Sequence, residues 1–300
     1  MKQAKERRRI ETKASHTALM ASIYRFLATK EQNNLLKGPD YLANLFLPPQ
    51  ARFFLSFTFF RKIFHRKLHK KAPGSYEYIC ARTRFFDDLF QEALKQNIPQ
   101  IVILGAGFDT RAIRYENLIE DTQVFELDVP TTQEQKIDLL EKSGIEEPVN
   151  LSFASINFDK DDIKQVLAKV GYEPNKKSLF IWEGVSMYIT REAVNNVLAF
   201  VKLHSGKDSS IAFDYLYKSV IQNQCNYYGA KELSTVVKQS GEAFSFGIEE
   251  GKIADFLSNQ GFEIITHYRP EQFERKYLNI DGSREKMYGF ACHVHTKAIQ

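Results

Sequence analysis

Cysteine is scarce: Cys80, Cys225 and Cys292 stand apart in 300 residues, with no C-x-x-C pair. An odd, scattered set argues against a disulfide framework and against a thiolate zinc site, and favours a reducing compartment, the cytoplasm. A secretory signal is also missing, because residues 2–13 are charged and no apolar core follows them. The densest aromatic stretch, 53–60, is far too short to cross a hydrocarbon layer of about 30 Å. Of the histidines (His16, His65, His69, His204, His267, His293, His295), none stands with Asp, Glu or Cys in ligand spacing, so no metal is expected. Ser186 lies in EGVSMY rather than in a G-x-S-x-G elbow, which leaves a hydrolase without support. Internal repeats and low-complexity tracts are absent too.

What is present is the composition of an ordinary globular chain, 43% hydrophobic and 26% charged, and long enough to bury a core. The net charge of +4 is unevenly distributed. Residues 1–13 carry six Lys/Arg against Glu6 and Glu11, and residues 50–71 carry seven with no acid. The remainder is therefore net acidic behind a basic front end.

The chain is organised around QIVILGAGFDTR, residues 100–111. Ile101 to Leu104 is a continuous apolar run, the pattern of a strand buried on both faces. Gly105, Ala106 and Gly107 follow at once, small enough to let a ligand approach the backbone, and a helical pattern comes next. Strand, glycine turn and helix together make a nucleotide-sized site at the carboxyl end of a parallel sheet. A dinucleotide fingerprint wants a third glycine, and Phe108, Asp109 and Thr110 occupy that region instead. The turn suits a nucleoside without a pyrophosphate better than NAD.

Strands are expected at 100–104, 123–128, 151–156, 179–182 and 210–215, alternating with helices. Asp159 is the expected N-cap of the helix after the third strand, and Thr190 of the helix after the fourth. Residues 216–250 read as irregular and polar, packed beside the substrate entrance. Strands at 262–267 and 288–296 close the pattern, joined by a long loop without helical period and running antiparallel. Upstream lie a helix over 14–30, a short helical piece at 41–47 and an amphipathic helix over 82–95. The expected division is a helical cap over 1–95 and a ligand-binding core over 96–300.

LGAGFDTR, FELDVP (125–130) and IWEGVSMYIT (181–190), with SHTALMAS (15–22) and ARTRFFDD (81–88), resemble the leucine carboxyl methyltransferase-like family of S-adenosylmethionine-dependent O-methyltransferases, in its bacterial branch. The resemblance implies a class I methyltransferase fold, a Rossmann-like α/β architecture. Its seven-stranded sheet is mostly parallel with an antiparallel last strand, and S-adenosyl-L-methionine is the cofactor. It implies that Asp128, at the end of the second strand, holds the ribose hydroxyls, and that Arg82 grips the methionine carboxylate, a task suited to a planar guanidinium. Glu126 faces the same way as Asp128 from the pleat. Asn157 and Phe158 stand where the family has Asp-Leu beside the adenine. Glu183 is positioned to hold the methionine ammonium, Asp109 to meet the cofactor, and Arg111 to serve structure. Tyr188 and Arg84 are the candidates for positioning a small-molecule or carboxylate-bearing substrate. Two other classes share features with this reading: an NAD(P)-dependent oxidoreductase, and a non-catalytic S-adenosylmethionine-binding or membrane-docking protein.

The segment 51–72 combines Phe53, Phe54, Leu55, Phe57, Phe59 and Phe60 with the run RKIFHRKLHKK. Its plainest reading is a helix that packs its aromatics on the core and leaves a solvated basic end. The alternatives are a lid over the acceptor pocket and a foot on an anionic membrane surface. The run has no RNA-binding signature, so no nucleic acid is expected.

Overall fold

Apolar strands buried on both faces need helices above and below, and this demand sets the architecture. The computed structural model of the chain describes residues 15–240, 242–279 and 285–299. The basic arm expected at 1–13 lies outside them. Helices α1 (His16–Ala28), α2 (Pro49–Ser56), α3 (Thr58–Lys71) and α4 (Ser75–Lys95) precede β1 (Gln100–Leu104), and a 3-10 turn spans Ala43–Phe46. Then follow α5 (Arg111–Arg114), β2 (Gln123–Asp128), α6 (Pro130–Lys142), β3 (Leu151–Ser155), α7 (Ile163–Lys169), β4 (Ser178–Trp182), α8 (Arg191–Leu203) and β5 (Ser210–Leu216). Helices α9 (Lys218–Ile221), α10 (Ala230–Ser240) and α11 (Ile253–Asn259), strand β6 (Phe262–Tyr268), α12 (Pro270–Tyr277) and β7 (Ala291–Ala298) complete the chain.

The seven strands form one sheet in the order β3-β2-β1-β4-β5-β7-β6. The first five pair parallel, and β7 runs antiparallel to both β5 and β6. This is the expected sheet. Every residue of β1 and β4 is buried. The order reverses at β1, which has β2 on one side and β4 on the other, so a crevice opens beyond the carboxyl ends of β1 and β4. One hydrophobic core runs from Ile23 and Phe26 of α1 through Phe86 and Phe90 of α4 into Val102, Phe180 and Phe213 of the sheet.

Several expectations are corrected. Asp159 does not cap the helix after β3: Asp162 does, accepting from the Lys164 N–H at 2.9 Å. Asp159 instead accepts from the Thr190 N–H and hydroxyl at 3.2 and 2.8 Å, while Thr190 caps α8 as expected, taking the Ala193 N–H. The loop between the last two strands holds α12, whose inward Phe273 stacks on His293 of β7 at 3.6 Å. The region read as irregular holds α9 and α10. Helix α4 begins seven residues earlier than the amphipathic pattern suggested, because its first turns are buried all round.

The aromatics of 51–72 are not in the core. The segment breaks at Phe57, whose backbone is extended (φ −89°, ψ 131°), and Arg61 staples the break by donating to the Leu55 and Ser56 carbonyls at 3.1 and 2.6 Å. Leu55 and Leu68 are buried, whereas Phe53, Phe54, Phe57, Phe59 and Phe60 are exposed. No helix among the described residues is long and apolar enough to cross a membrane.

Candidate active site

The glycine turn after β1 opens a cleft of about 250 Å³. Gly105 and Gly107 adopt positive φ (66° and 53°), which side chains avoid. A Cβ on Gly105 would also lie 2.4 Å from Val185 Cγ2 on the opposite wall. The turn is tied down from β2: the Ala106 N–H donates to the Leu127 carbonyl at 2.9 Å, and the Gly107 N–H to Asp128 Oδ2 at 2.5 Å. Asp128 Oδ1 accepts from the Val129 N–H at 2.7 Å. Each carboxylate oxygen thus spends one acceptor site on the backbone and keeps the other for the cleft. Burial pushes the Asp128 carboxyl up to about 6, with the two N–H groups pulling the other way.

Glu126 does not share this cleft. It lies beneath it, buried and ion-paired with Lys136 of α6, and burial raises it to about 7 despite that partner. The pleat gives Glu126 and Asp128 one face, but only Asp128 sits at the strand end, where the sheet opens.

The opposite wall comes from β4 and α4. Arg82 lies along it, with Nε donating to Glu183 Oε1 at 2.9 Å and Nη1 to Asp214 Oδ2 at 3.4 Å. Its Nη2 has no hydrogen-bond acceptor among the described residues. Glu183 Oε2 accepts from Arg111 Nη2 at 2.7 Å, and Arg111 also holds Asp87 and both oxygens of Asp109. Burial opposes ionisation of Asp109, but the Arg111 guanidinium wins and holds it below the usual carboxylate range. Arg111 is a buried structural hub, as expected. Asp109 touches the cleft wall while its carboxylate is turned to Arg111. Gly184 (φ 69°) lets Arg82 lie flat on the turn after β4, where a Cβ would meet Arg82 Nη1 at 2.7 Å.

Asn157 and Phe158 line the cleft beyond Asp128. Asn157 Oδ1 accepts from the Asp159 N–H at 3.1 Å, an Asx turn that the sequence did not announce. Tyr188 lines the mouth with its ring 5.3 Å from Phe244, and burial raises its phenol above the ordinary value. Arg84 is elsewhere: its guanidinium donates to the carbonyls of Asn34, Lys37 and Tyr277, outside the cleft. Neither α2 nor α3 contributes a lining residue, so the segment does not roof this cleft.

Two contributors were missed, the start of α1 and Glu242. Ser15, Thr17, Ala18 and Arg25 of α1 form one wall, and Glu242 closes its end. Glu242 accepts from the His16 and Thr17 N–H groups at 2.9 and 3.1 Å and from the Thr17 hydroxyl, capping α1 from outside the helix. Arg25 is held by Asp40 at 3.0 Å and donates to the Phe108 carbonyl at 2.6 Å. The SHTALMAS string signalled this wall without assigning it a role. For Glu242 the only signal was its place in the polar stretch expected beside the entrance.

The profile of the leucine carboxyl methyltransferase family matches residues 18–202, which carry the glycine turn, Asp128 and the Arg82–Glu183 pair. This chain belongs to that family. It is 30% identical over 215 residues to a Bacillus subtilis (strain 168) protein named "Putative S-adenosyl-L-methionine-dependent methyltransferase YktD", covering 72% of this chain and 70% of that one. A similarly named Mycolicibacterium smegmatis protein is 25% identical and covers 86% of this chain and 84% of its own. Among solved structures, a DUF574 family protein from Streptomyces avermitilis superposes with a TM-score of 0.63 at 12% identity, over 95% of this chain and 98% of that one. That likeness concerns the fold, which is that of class I methyltransferases.

Membership in the leucine carboxyl methyltransferase family makes the protein an S-adenosylmethionine-dependent methyltransferase, and an oxidoreductase reading is not favoured. The cleft of this family member suits such a cofactor on its own terms. It has a carboxylate with spare acceptor sites at one end, apolar walls from Ile103, Val185 and Phe158, and an arginine with an uncommitted Nη2 at the other.

Proposed function

We propose that the chain transfers the methyl group of S-adenosylmethionine to an oxygen of a small-molecule or peptide acceptor, a carboxylate before a hydroxyl. The observation that carries this reading is the chemistry of the cleft walls. Their described residues include no histidine and no cysteine, and the phenol of Tyr188 is raised, which keeps it protonated at neutral pH and so unavailable as a base. A carboxylate acceptor is anionic at neutral pH and needs no base. A hydroxyl needs a group to take its proton, and the wall carboxylates Asp109, Asp128, Glu183 and Glu242 are already engaged by backbone N–H groups or arginines.

The bound cofactor supplies an activated methyl on a positive sulfur; the protein's share is positioning and exclusion of water. In this reading Asp128 accepts from the ribose hydroxyls while Gly105 and Gly107 allow close approach. Asn157 and Phe158 flank the base, with Phe158 packing on the ring face and the Asn157 side chain shaping the turn. Arg82, with Nη2 uncommitted, takes the methionine carboxylate, and Glu183 faces the ammonium. Asp109 acts through Arg111, keeping the Glu183 carboxylate in place. Tyr188 borders the acceptor.

The test is incubation of purified protein and cell extract with methyl-labelled cofactor, followed by mild base. Label released as methanol marks a methyl ester and supports the carboxylate reading. Label that survives base moves the assignment to a hydroxyl or another nucleophile.

A further inference from the structure

Helices α2 and α3 present an aromatic and basic surface that lies exposed among the described residues. Phe53 and Phe59 are 61% and 68% exposed, and Phe54, Phe57 and Phe60 are exposed with them. Their rings pack edge to face on one another, with centroids 5.2–6.3 Å apart, in one continuous cluster around the break at Phe57. Such a patch is unusual on the surface of a lone soluble chain and marks a contact face. Arg52, Lys62, Arg66, Lys67, Lys70 and Lys71 stand exposed beside it, and no Asp or Glu occurs between Pro49 and Ala72. The other side of α3 is anchored: Leu68 is buried, Phe64 packs on the core, and the His65 ring meets Tyr76 at 4.8 Å.

We infer that this face docks on an anionic phospholipid bilayer. The five phenylalanines enter the boundary between headgroups and acyl chains, and the α3 cations bind lipid phosphate. An apolar face beside a polybasic one is the combination that holds a helix in that interface. Helix α3, with 14 residues and a length of about 21 Å, lies on such a surface rather than spanning it. Charge decides against this face pairing with itself in a second copy of the chain, since seven cations would meet seven with no acid between them. Ring geometry decides against single-stranded nucleic acid, which stacks on free aromatic faces, whereas these rings are locked against each other's edges. Lys71, at the far end of α3, shares a surface depression with His16, which lies between the cleft residues Ser15 and Thr17. The basic end of the docked face therefore lies beside the first turn of α1. The inference goes beyond the methyl-transfer reading and stands without it.

The experiment is cosedimentation of the full chain with vesicles of phosphatidylcholine alone and of phosphatidylcholine mixed with phosphatidylglycerol, at low and high salt. The expected result is binding to the anionic vesicles only, weakened by salt. The paired substitutions Phe53→Ser/Phe59→Ser and Arg66→Glu/Lys67→Glu should each lower partitioning by about tenfold or more, since each charge near the surface and each inserted ring contributes separately. All four positions are exposed, so thermal melting should match the wild type. Absence of wild-type binding to anionic vesicles overturns the inference whatever the variants do. So does equal binding by all three proteins. A dimer in analytical ultracentrifugation that Phe53→Ser/Phe59→Ser abolishes, or RNA retention that only the charge reversal abolishes, overturns it in favour of those occupants when vesicle binding is absent.

Discussion

Asp128 carries two loads, holding the glycine turn shut and facing the cleft, and its raised carboxyl makes both visible in a titration. An unfolded aspartate titrates near 3.9, and the folded one near 6. Between those values only the folded state keeps the proton, so this residue's contribution to stability is full below about pH 4 and is lost as pH rises through 6. Cofactor binding has the opposite sign, because the ribose hydroxyls donate to the ionised form. Affinity for S-adenosylhomocysteine should therefore fall by up to about tenfold per unit as pH drops below 6. Asp128→Asn should bind weakly at every pH and lose that slope, as calorimetry across pH 5–7 can check. A second residue-scale prediction concerns Arg82, which pairs with Glu183 and the fully buried Asp214. Arg82→Ala leaves Asp214 without its cation and Glu183 with Arg111 alone, and removing one partner of a buried pair costs about 3–5 kcal/mol. Its melting temperature should drop markedly, whereas Arg82→Lys should melt close to the wild type. Asp128 was legible because a strand-end acid after a glycine turn has few other uses. Arg84 was misread because residues in ARTRFFDD two apart on a helix point to different faces, and α4 turns only Arg82 toward the cleft.

At the scale of elements, α1 is where the sequence and the structure part. Its apolar spacing announced a helix, and Ser15 caps it by accepting from the Ala18 N–H at 3.1 Å. That its first turn walls the cleft, and that Glu242 caps it from 225 residues away, depends on tertiary contacts no local pattern carries. A carboxylate at a helix N-terminus stabilises it by roughly 0.3–1 kcal/mol, more when hydrogen-bonded. Glu242→Gln should thus lower the melting temperature by a few degrees and weaken cofactor affinity by loosening that wall, an outcome differential scanning fluorimetry with and without S-adenosylhomocysteine would reveal. The glycine turn is the converse case, legible at sight. Gly105→Ala would place a Cβ against Val185 and force a strained φ, so it should weaken cofactor binding more than it changes the helix content seen by circular dichroism. Helix α12 escaped notice because eight residues beginning with a proline show too few turns for a period. The exposed phenylalanines of α2 and α3 were assigned to the core on composition, and composition says nothing of which side of an amphipathic segment meets solvent.

Over the whole molecule, the alternation of apolar strands and helices pointed to a parallel sheet and the last two strands read as an antiparallel pair, whereas the strand order β3-β2-β1-β4-β5-β7-β6 was not carried by spacing. The site was readable where strand ends and glycine turns supply it, and opaque where distant elements complete it, as with Arg25 and Glu242. The central claim is that one cofactor lies across the cleft with its ribose at Asp128 and its amino-acid end at Arg82. Its most direct test is calorimetric titration of S-adenosylhomocysteine and of methylthioadenosine, which lacks the amino-acid end, into wild type, Asp128→Ala and Arg82→Lys. Asp128→Ala should weaken both ligands, by on the order of 1.5–3 kcal/mol per lost hydrogen bond at most. Arg82→Lys should weaken S-adenosylhomocysteine alone, because a single ammonium does not reproduce the planar grip on a carboxylate. Affinities unchanged in Asp128→Ala, or an Arg82→Lys protein that loses both ligands equally while melting like the wild type, would contradict the account.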